Sequence, residues 1–401
     1  MTERERDEAP GRIAILGAGP VGLEAALAAS DAGRPFTVFE AAPQVGGNVR
    51  RWGHVRLFTP WSMNVSERMA RHLKAAGEPL PEPDDYCPTG TELVNDLLEP
   101  LAKLPELAAN FEYGTRVLGI GRQGLLKHEE ISSEGRASRL FRIVLQDQAN
   151  RTTTQTASMV LDCTGTYATP NATGDAGIAA PGEAELCERI VRWIPDLGDG
   201  APSWAGQTIL VVGAGKSAQA AAQDFAAWLP SAPGTQVLWA VRSSRPDWGE
   251  VADDPLPGRQ ALADSAKELA AGRLPGITVT TGVVVDAFEP AGDRIAVWLR
   301  GAREPRVLVD RVLSLTGYAP DASLYRQLQV HECYATAAPM GLSAQLLGDA
   351  AGNCLDQPSN GVEVLVNPEP NFLILGAKSY GRNSQFLMRI GYQQVTDVVG
   401  T

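Results

Sequence analysis

The stretch RIAILGAGPVGLEAALAASDAGRPFTVFE, from Arg12 to Glu40, constrains the fold more than any other part of the chain. Ile13 to Leu16 is the short, unbroken apolar run that a parallel strand buried on both faces requires. A glycine turn follows at once. Gly17 permits the tight turn, Gly19, with Pro20 beside it, lets backbone approach a pyrophosphate, and Gly22 lets the next helix pack against the strand. Glu40 ends a second apolar strand, Phe36 to Phe39, at about the twenty-residue spacing where a carboxylate accepts hydrogen bonds from the ribose of an unphosphorylated dinucleotide. Strand, turn, helix, strand and acid in this order predict a nucleotide cradle.

The 401 residues suggest roughly two to three domains, and 44% hydrophobic content is ample for their cores. A net charge of -12 argues against a general nucleic-acid or anionic-membrane surface. Residues 1–11 are charged and lack an apolar signal core, and no apolar run nears the roughly 18 residues of a membrane span, so a cytoplasmic location is the default expectation. Cys87, Cys163, Cys187, Cys333 and Cys354 contain no CxxC pair. They predict neither a disulfide framework nor a zinc site, they disfavour dithiol reductase chemistry, and they read as buried small side chains.

After Glu40 come Gly46, Gly47 and Asn48, then the aromatic and basic stretch RRWGHVRLFTPWSMN. Trp52, Phe58 and Trp61 read as core packing, whereas Arg50, Arg51 and Arg56 can neutralise phosphate or hold an anionic ring edge. Helices are expected over Ser62 to Ala75 and over Thr89 to Lys103, the second opened by a Thr89–Glu92 capping box. Phe141 to Leu145 and Thr152 to Thr156 predict an antiparallel meander, and Met159 to Leu161 a strand with Thr164 and Gly165 at its tip. Tyr167 to Ser203 reads as a crossover holding one short helix near Ala184 to Trp193.

Thr208 to Val212 and GAGKSAQAAAQDF then repeat the opening device, with Gly213, Gly215 and Ala218 at the three glycine positions. Its second strand, Gln236 to Val241, runs into Arg242, Ser243, Ser244 and Arg245 and offers no carboxylate. Arginines there suit a 2'-phosphate that Glu40 would repel, so the first site should hold FAD or NAD and the second NADPH. Gly215-Lys216-Ser217 fails the spacing of a triphosphate loop, because the required first glycine would fall at Leu210 inside the strand. Lys216 is left as either a neighbour of the pyrophosphate or a solvated lysine. Further strands are expected at Thr278 to Val285, Arg294 to Leu299, Arg306 to Val309 and Val312 to Leu315, the last leading to Thr316-Gly317 as an echo of Thr164-Gly165. Phe372 to Leu375 ends at Gly376, and AKSYGR, which includes Ser379, precedes a helix to about Val399 whose free amides can face an electron-rich ring.

Two dinucleotide units in this order, the paired Thr-Gly tips, the glycine pair after Glu40 and the glycine turn before the last helix resemble flavoproteins of the flavin-containing monooxygenase and thioredoxin-reductase superfamily. The resemblance covers nearly the whole chain. It implies an α/β fold with two Rossmann-type dinucleotide-binding domains, the NADPH domain inserted into a discontinuous FAD domain. Boundaries are expected as 12–166 and 310–401 for FAD, 167–203 for the crossover and 204–309 for NADPH. Glu40 to Gly47 and the NVSERM segment look most like bacterial flavin-binding monooxygenases, whose asparagine helps hold a C4a-peroxyflavin. On that likeness Asn64 is the catalytic candidate, while the residues alone equally allow an N-cap for a helix at Val65. The implied activity is NADPH-dependent oxygenation of a small molecule with molecular oxygen; a flavin reductase or dehydrogenase, or a redox-responsive binding module, are the alternatives. Three features depart from the pattern: the FxGxxxHxxx(Y/F/K) signature is missing between Tyr167 and Gln207, Lys216 replaces the usual asparagine, and Ala377 follows Gly376 where reductases often place aspartate.

Overall fold

Ile13–Leu16 form strand β1, and every one of its side chains is buried. The structure is a computed structural model that describes residues 11–251, 256–273, 276–348 and 361–400; Cys354 lies outside them. The alanine-rich α1, Pro20–Asp31, starts on a proline, which supplies a helical φ and needs no amide partner there. β2, Phe36–Glu40, returns beside β1 in parallel with Ile13 opposite Phe36. The glycine pair opens a short helix α2, Gly47–Arg51, and α3 is Glu67–Ala76. The expected Ser62–Ala75 helix is broken at Val65, which is extended at φ -102° and ψ 123°. Ser66, not Asn64, is the cap, its Oγ accepting from Met69 N at 3.0 Å. The Thr89–Glu92 capping box is present, and the helical run behind it passes through a π turn at Val94–Leu98 before Glu99–Ala102.

Beyond the short strand β3, Phe111–Tyr113, the chain makes the antiparallel sheet β4, Arg116–Arg122, β5, Phe141–Gln146, and β6, Thr152–Ala157, then β7, Met159–Asp162. The short helix expected at Ala184–Trp193 is reduced to a single 3-10 turn. This turn, Cys187–Arg189, leads into β8, Ile190–Val191, because two β-branched side chains pair there with a later strand. β9, Thr208–Val212, α4, Lys216–Trp228, and β10, Gln236–Val241, rebuild the opening unit, followed by α5, Pro257–Ala270. The expected Thr278–Val285 strand splits at Gly282, φ +73°, into β11, Ile277–Thr281, and β12, Val284–Ala291. β13, Arg294–Arg300, and β14, Arg306–Val309, complete an antiparallel ribbon with β12, and β15, Arg311–Ser314, lies beside β9. The chain ends with β16, Phe372–Ile374, and α6, Met388–Val399.

Two units result. One joins the chain up to Thr169 with the chain from Ala319 onward and carries the sheet β16-β7-β1-β2-β3; the other, Pro170–Tyr318, carries β11-β10-β9-β15-β8. The second unit therefore takes in most of the expected crossover and reaches past the expected boundary at 310, since β8 and β15 belong to its sheet. In the first unit α1 packs on α6 so closely that a Cβ on Gly391 would lie 2.6 Å from Val21 Cγ2. Cys163 and Cys333 are buried and Cys87 half-buried, but Cys187 is exposed on its surface turn, contrary to the expectation for all the cysteines. Among the described residues no helix is long and apolar enough to cross a membrane.

Candidate functional site

The glycines of the first turn separate into two kinds. Gly17 has φ +93°, and a Cβ there would stand 2.9 Å from Cys163 O; on Gly22 it would stand 1.9 Å from Gly17 O. The protein itself demands glycine at both. Gly19 differs: its φ of -86° and ψ of -175° suit any residue, and a Cβ would meet no atom within 4 Å. Its bare backbone borders the open N-terminus of α1, where amide donors and helix dipole favour an anion. Glu40 Oε2 accepts from Ala18 N at 2.7 Å and Oε1 from Ala42 N at 2.8 Å, so one carboxylate fixes the turn and keeps further lone pairs for ribose hydroxyls. Gly46 N donates to Ala18 O at 3.0 Å, which brings Gly46, Gly47 and the half-buried Asn48 to the same turn.

The neighbouring guanidiniums are committed elsewhere, against expectation. Arg50 Nε donates to Val45 O at 3.0 Å and its Nη2 pairs with Glu99. Arg56 donates to Cys87 O and lies 4.9 Å over the Tyr86 ring, while Arg51 is exposed. Trp52 Nε1, by contrast, is a buried donor with no partner among the described residues, and its ring lies 5.9 Å from Tyr167. Asn64 is 1% exposed. Its Nδ2 donates to Thr59 O at 2.8 Å and its Oδ1 accepts from Thr59 Oγ1 at 2.7 Å, while Tyr392 Oη donates to its main-chain oxygen. The amide closes the Thr59–Asn64 loop.

A buried ion pair not foreseen from the sequence sits at the tip of β7. Lys378 Nζ lies 2.7 Å from Asp162 Oδ2 and donates to Thr164 Oγ1 at 3.2 Å, with both charged side chains 0% exposed. Thr164 in turn donates from Oγ1 to Asp162 Oδ1 at 2.7 Å, which fixes the Thr164-Gly165 tip. Burial, then the Asp162 carboxylate, push the adjacent Cys163 thiol well above its ordinary range. Gly376 N is not free for a ligand: it donates to Gln394 Oε1 at 2.8 Å, and Gln394 Nε2 donates to Ser379 Oγ at 3.0 Å. Gly376–Tyr380 is a 3-10 turn, and α6 begins only at Met388.

The second turn repeats the division. Gly213 has φ +126°, with a Cβ 2.3 Å from Leu315 O, whereas Gly215 is extended and its Cβ would meet nothing within 4 Å. Trp239 Nε1 donates to Gly213 O at 2.7 Å and Gln219 Nε2 to Ala214 O at 2.8 Å, turning the carbonyls inward. Ser217 is exposed in the first turn of α4, and Arg242 and Arg245 are exposed just beyond β10. Lys216 is half-buried, and its ammonium donates to Trp248 O at 3.1 Å, Gln219 Oε1 at 3.2 Å and Arg259 O at 3.3 Å. Thr316 and Gly317 follow β15, where Thr316 Oγ1 donates to Asn171 O at 3.1 Å.

This arrangement agrees with comparison to known proteins. The profile of the NAD(P)-binding Rossmann-like domain matches residues 15–73. Bacillithiol disulfide reductase Bdr from Bacillus cereus superposes with a TM-score of 0.68 at 17% identity, covering 97% of each chain. The chain shares the fold of that reductase. The same fold is shared with DfoA, the desferrioxamine-pathway cadaverine monooxygenase of Erwinia amylovora solved with FAD, at TM-score 0.61 and 14% identity over 96% of this chain and 94% of that one. It is shared too with the ornithine N-hydroxylase of Kutzneria sp. 744, at TM-score 0.59 and 14% identity over 96% and 97%. No curated protein sequence matches the chain.

Of the functional residues, Asp162, Lys378, Gln394, Gln219 and Trp239 escaped the sequence reading. Asp162 and Lys378 carried one signal, a charge of each sign set inside an otherwise apolar run, MVLD and LILGAKSY.

Proposed function

We propose that the protein is an NADPH-dependent FAD flavoprotein oxidoreductase that oxygenates a small molecule. The observation that carries this reading is the pair of glycines, Gly19 and Gly215, whose missing side chains answer no need within the protein but leave backbone bare at a helix N-terminus. A carboxylate stands beyond the first turn and two arginines beyond the second. In the first unit Gly17, Gly19, Pro20 and Gly22 would take the FAD pyrophosphate and Glu40 its ribose. The chain at Gly46, Gly47 and Asn48, the tip Thr164-Gly165, and the Gly376–Ser379 turn would border the rest. In the second, Gly213, Gly215 and Ser217 would take the NADPH pyrophosphate, Arg242 and Arg245 its 2'-phosphate, and Thr316-Gly317 would edge the site.

FAD, when bound, supplies two-electron transfer from NADPH and the reaction with molecular oxygen. The chain's contribution is placement and dryness. Asp162 and Lys378 neutralise each other within the apolar wall, Glu40 holds the first turn, and the Trp52 N–H, without a partner among the described residues, would be a donor for a ring carbonyl or substrate oxygen. The absence of a CxxC pair in the sequence favours oxygenation over dithiol chemistry. A second reading, an NADPH-dependent reductase without oxygenation, draws on the higher structural similarity to the bacillithiol disulfide reductase. The test is a stopped-flow experiment on the purified yellow protein. NADPH should bleach the flavin much faster than NADH, and oxygen should then give substrate-dependent product; stoichiometric peroxide with every amine and thioether substrate tried would select the reductase.

A further inference from the structure

We propose that Lys216 is a positioning residue that sets the preference for NADP(H) over NAD(H) by clamping the Arg242–Gly249 loop onto the second glycine turn. The proposal rests on the reading that Arg242 and Arg245 take the 2'-phosphate.

Trp248 adopts φ +58°, a left-handed backbone that a bulky aromatic residue enters only when its surroundings impose it. The surroundings are on view. The Trp248 side chain is buried 5.2 Å from the Trp239 ring, and its carbonyl accepts two bonds, from Lys216 Nζ at 3.1 Å and Gln219 Nε2 at 3.0 Å. Gln219 and Trp239 are the side chains that also hold Ala214 O and Gly213 O of the turn. Lys216 adds a bond to Arg259 O of α5, so one ammonium ties the start of α4, the loop after β10 and the next helix together. Its ammonium is drawn to protein acceptors on three sides, at Gln219 Oε1, Trp248 O and Arg259 O, which suits a brace better than a phosphate ligand.

The loop so braced carries Arg242 and Arg245, both exposed and both on long, rotamer-rich side chains whose ordering weakens any binding they contribute to. Bracing lowers that penalty only for a ligand that reaches the arginines. Selectivity, not affinity in general, is therefore the signature of the clamp; a lysine on the pyrophosphate would serve both nucleotides alike.

The test uses the full-length, FAD-loaded protein and titrates NADP+ and NAD+ by tryptophan fluorescence, for parent and Lys216→Met. The variant should bind NADP+ about tenfold more weakly while NAD+ changes less than about twofold. Equal weakening of both nucleotides would overturn the proposal in favour of a pyrophosphate contact, and no weakening of either would overturn it outright. Trypsin cleavage at the Arg242–Ser243 bond gives a readout independent of nucleotide choice: Lys216→Met should be cut faster, and an unchanged rate would refute the clamp. If Lys216→Met does not fold, Gln219→Leu, which removes the second donor to Trp248 O, must show the faster cleavage; because it also frees Ala214 O of the turn, it enters the proteolysis arm alone. A parent protein that binds adenosine 2',5'-bisphosphate no better than 5'-AMP would sink the assignment of the arginines, while the proteolysis result would still judge the clamp.

Discussion

Replacing Gly19 by alanine should separate the stability of the protein from its capacity for FAD. In the free protein the new methyl meets nothing within 4 Å, on a backbone that already has φ -86° and ψ -175°. Loss of glycine's freedom in the unfolded chain stabilises by about 0.4–1 kcal/mol. Alanine is a poorer N-cap than glycine by roughly 0.5–1 kcal/mol, so the two effects nearly cancel. The apoprotein should melt within about 2 °C of the parent. With FAD the methyl stands where the pyrophosphate must approach, and each charge-assisted amide bond forfeited costs about 1.5–3 kcal/mol, or roughly ten- to hundredfold in affinity. Gly22→Ala is the contrast, because its Cβ would lie 1.9 Å from Gly17 O and must push the turn apart even without ligand. Melting is followed by circular dichroism on apoprotein, since bound FAD would add its own stabilisation. Affinity comes from quenching of flavin fluorescence. A Gly19→Ala protein that binds FAD like the parent, or whose apo form melts as low as Gly22→Ala, would refute the reasoning.

Lys378→Met strands the Asp162 carboxylate in a fully buried site and should cost about 3–5 kcal/mol in urea unfolding, most of it recovered in Asp162→Asn/Lys378→Met; a double variant as unstable as the single one would count against the pair. Asn64→Ala breaks two bonds to Thr59 and should lower stability by roughly 1–3 kcal/mol without altering the reaction of the reduced protein with oxygen. A selective rise in peroxide release would instead return Asn64 to a direct role. Burial alone would raise the carboxyl of Glu183, but the Arg192 guanidinium and the amides of Thr173 and Ala180 outweigh it and hold the carboxyl below its ordinary 4.5. Its stabilising contribution is thus complete above that pH and lost as pH falls through the depressed value, so the stability gap between parent and Glu183→Gln should be widest near neutrality and close in acid.

Both nucleotide units were legible because their information is local. An apolar run, glycines at set offsets and a capping box such as Thr89–Glu92 are each satisfied within a few residues or one turn of chain. What escaped was decided by partners far away in sequence. Ile190–Val191 is a strand only because Val312 and Leu313 lie alongside, and Asp162 finds its cation more than two hundred residues downstream at Lys378. Arg50, Arg56 and Lys216 show the same limit from the other side: a basic residue near a phosphate-binding turn looks like a ligand until backbone carbonyls at Val45, Cys87 and Trp248 claim it. The N-cap that the residues allowed at Asn64 falls instead to Ser66, because the chain is extended at Val65 and the helix begins only at Glu67.

The way the second unit's ends meet bears on the order in which the chain can fold. Pro170 and Tyr318 face each other across an antiparallel bridge, Asn171 N donates to Gly317 O, and just outside them Ala319 N donates to Thr169 O. β7 and β16, which must pair to finish the first sheet, are separated in sequence by this whole insertion. Were the insertion still a coil, pairing them would close a loop of more than a hundred residues. Once Pro170–Tyr318 has folded, its own ends are already one bridge apart and the closure shrinks from roughly two hundred residues to roughly sixty, a saving of about 1 kcal/mol in loop entropy. The unit inserted in the middle of the chain would in this sense be a template for its host: were it to close upon itself first, it would bring the chain leading to β16 nearer the edge of β7.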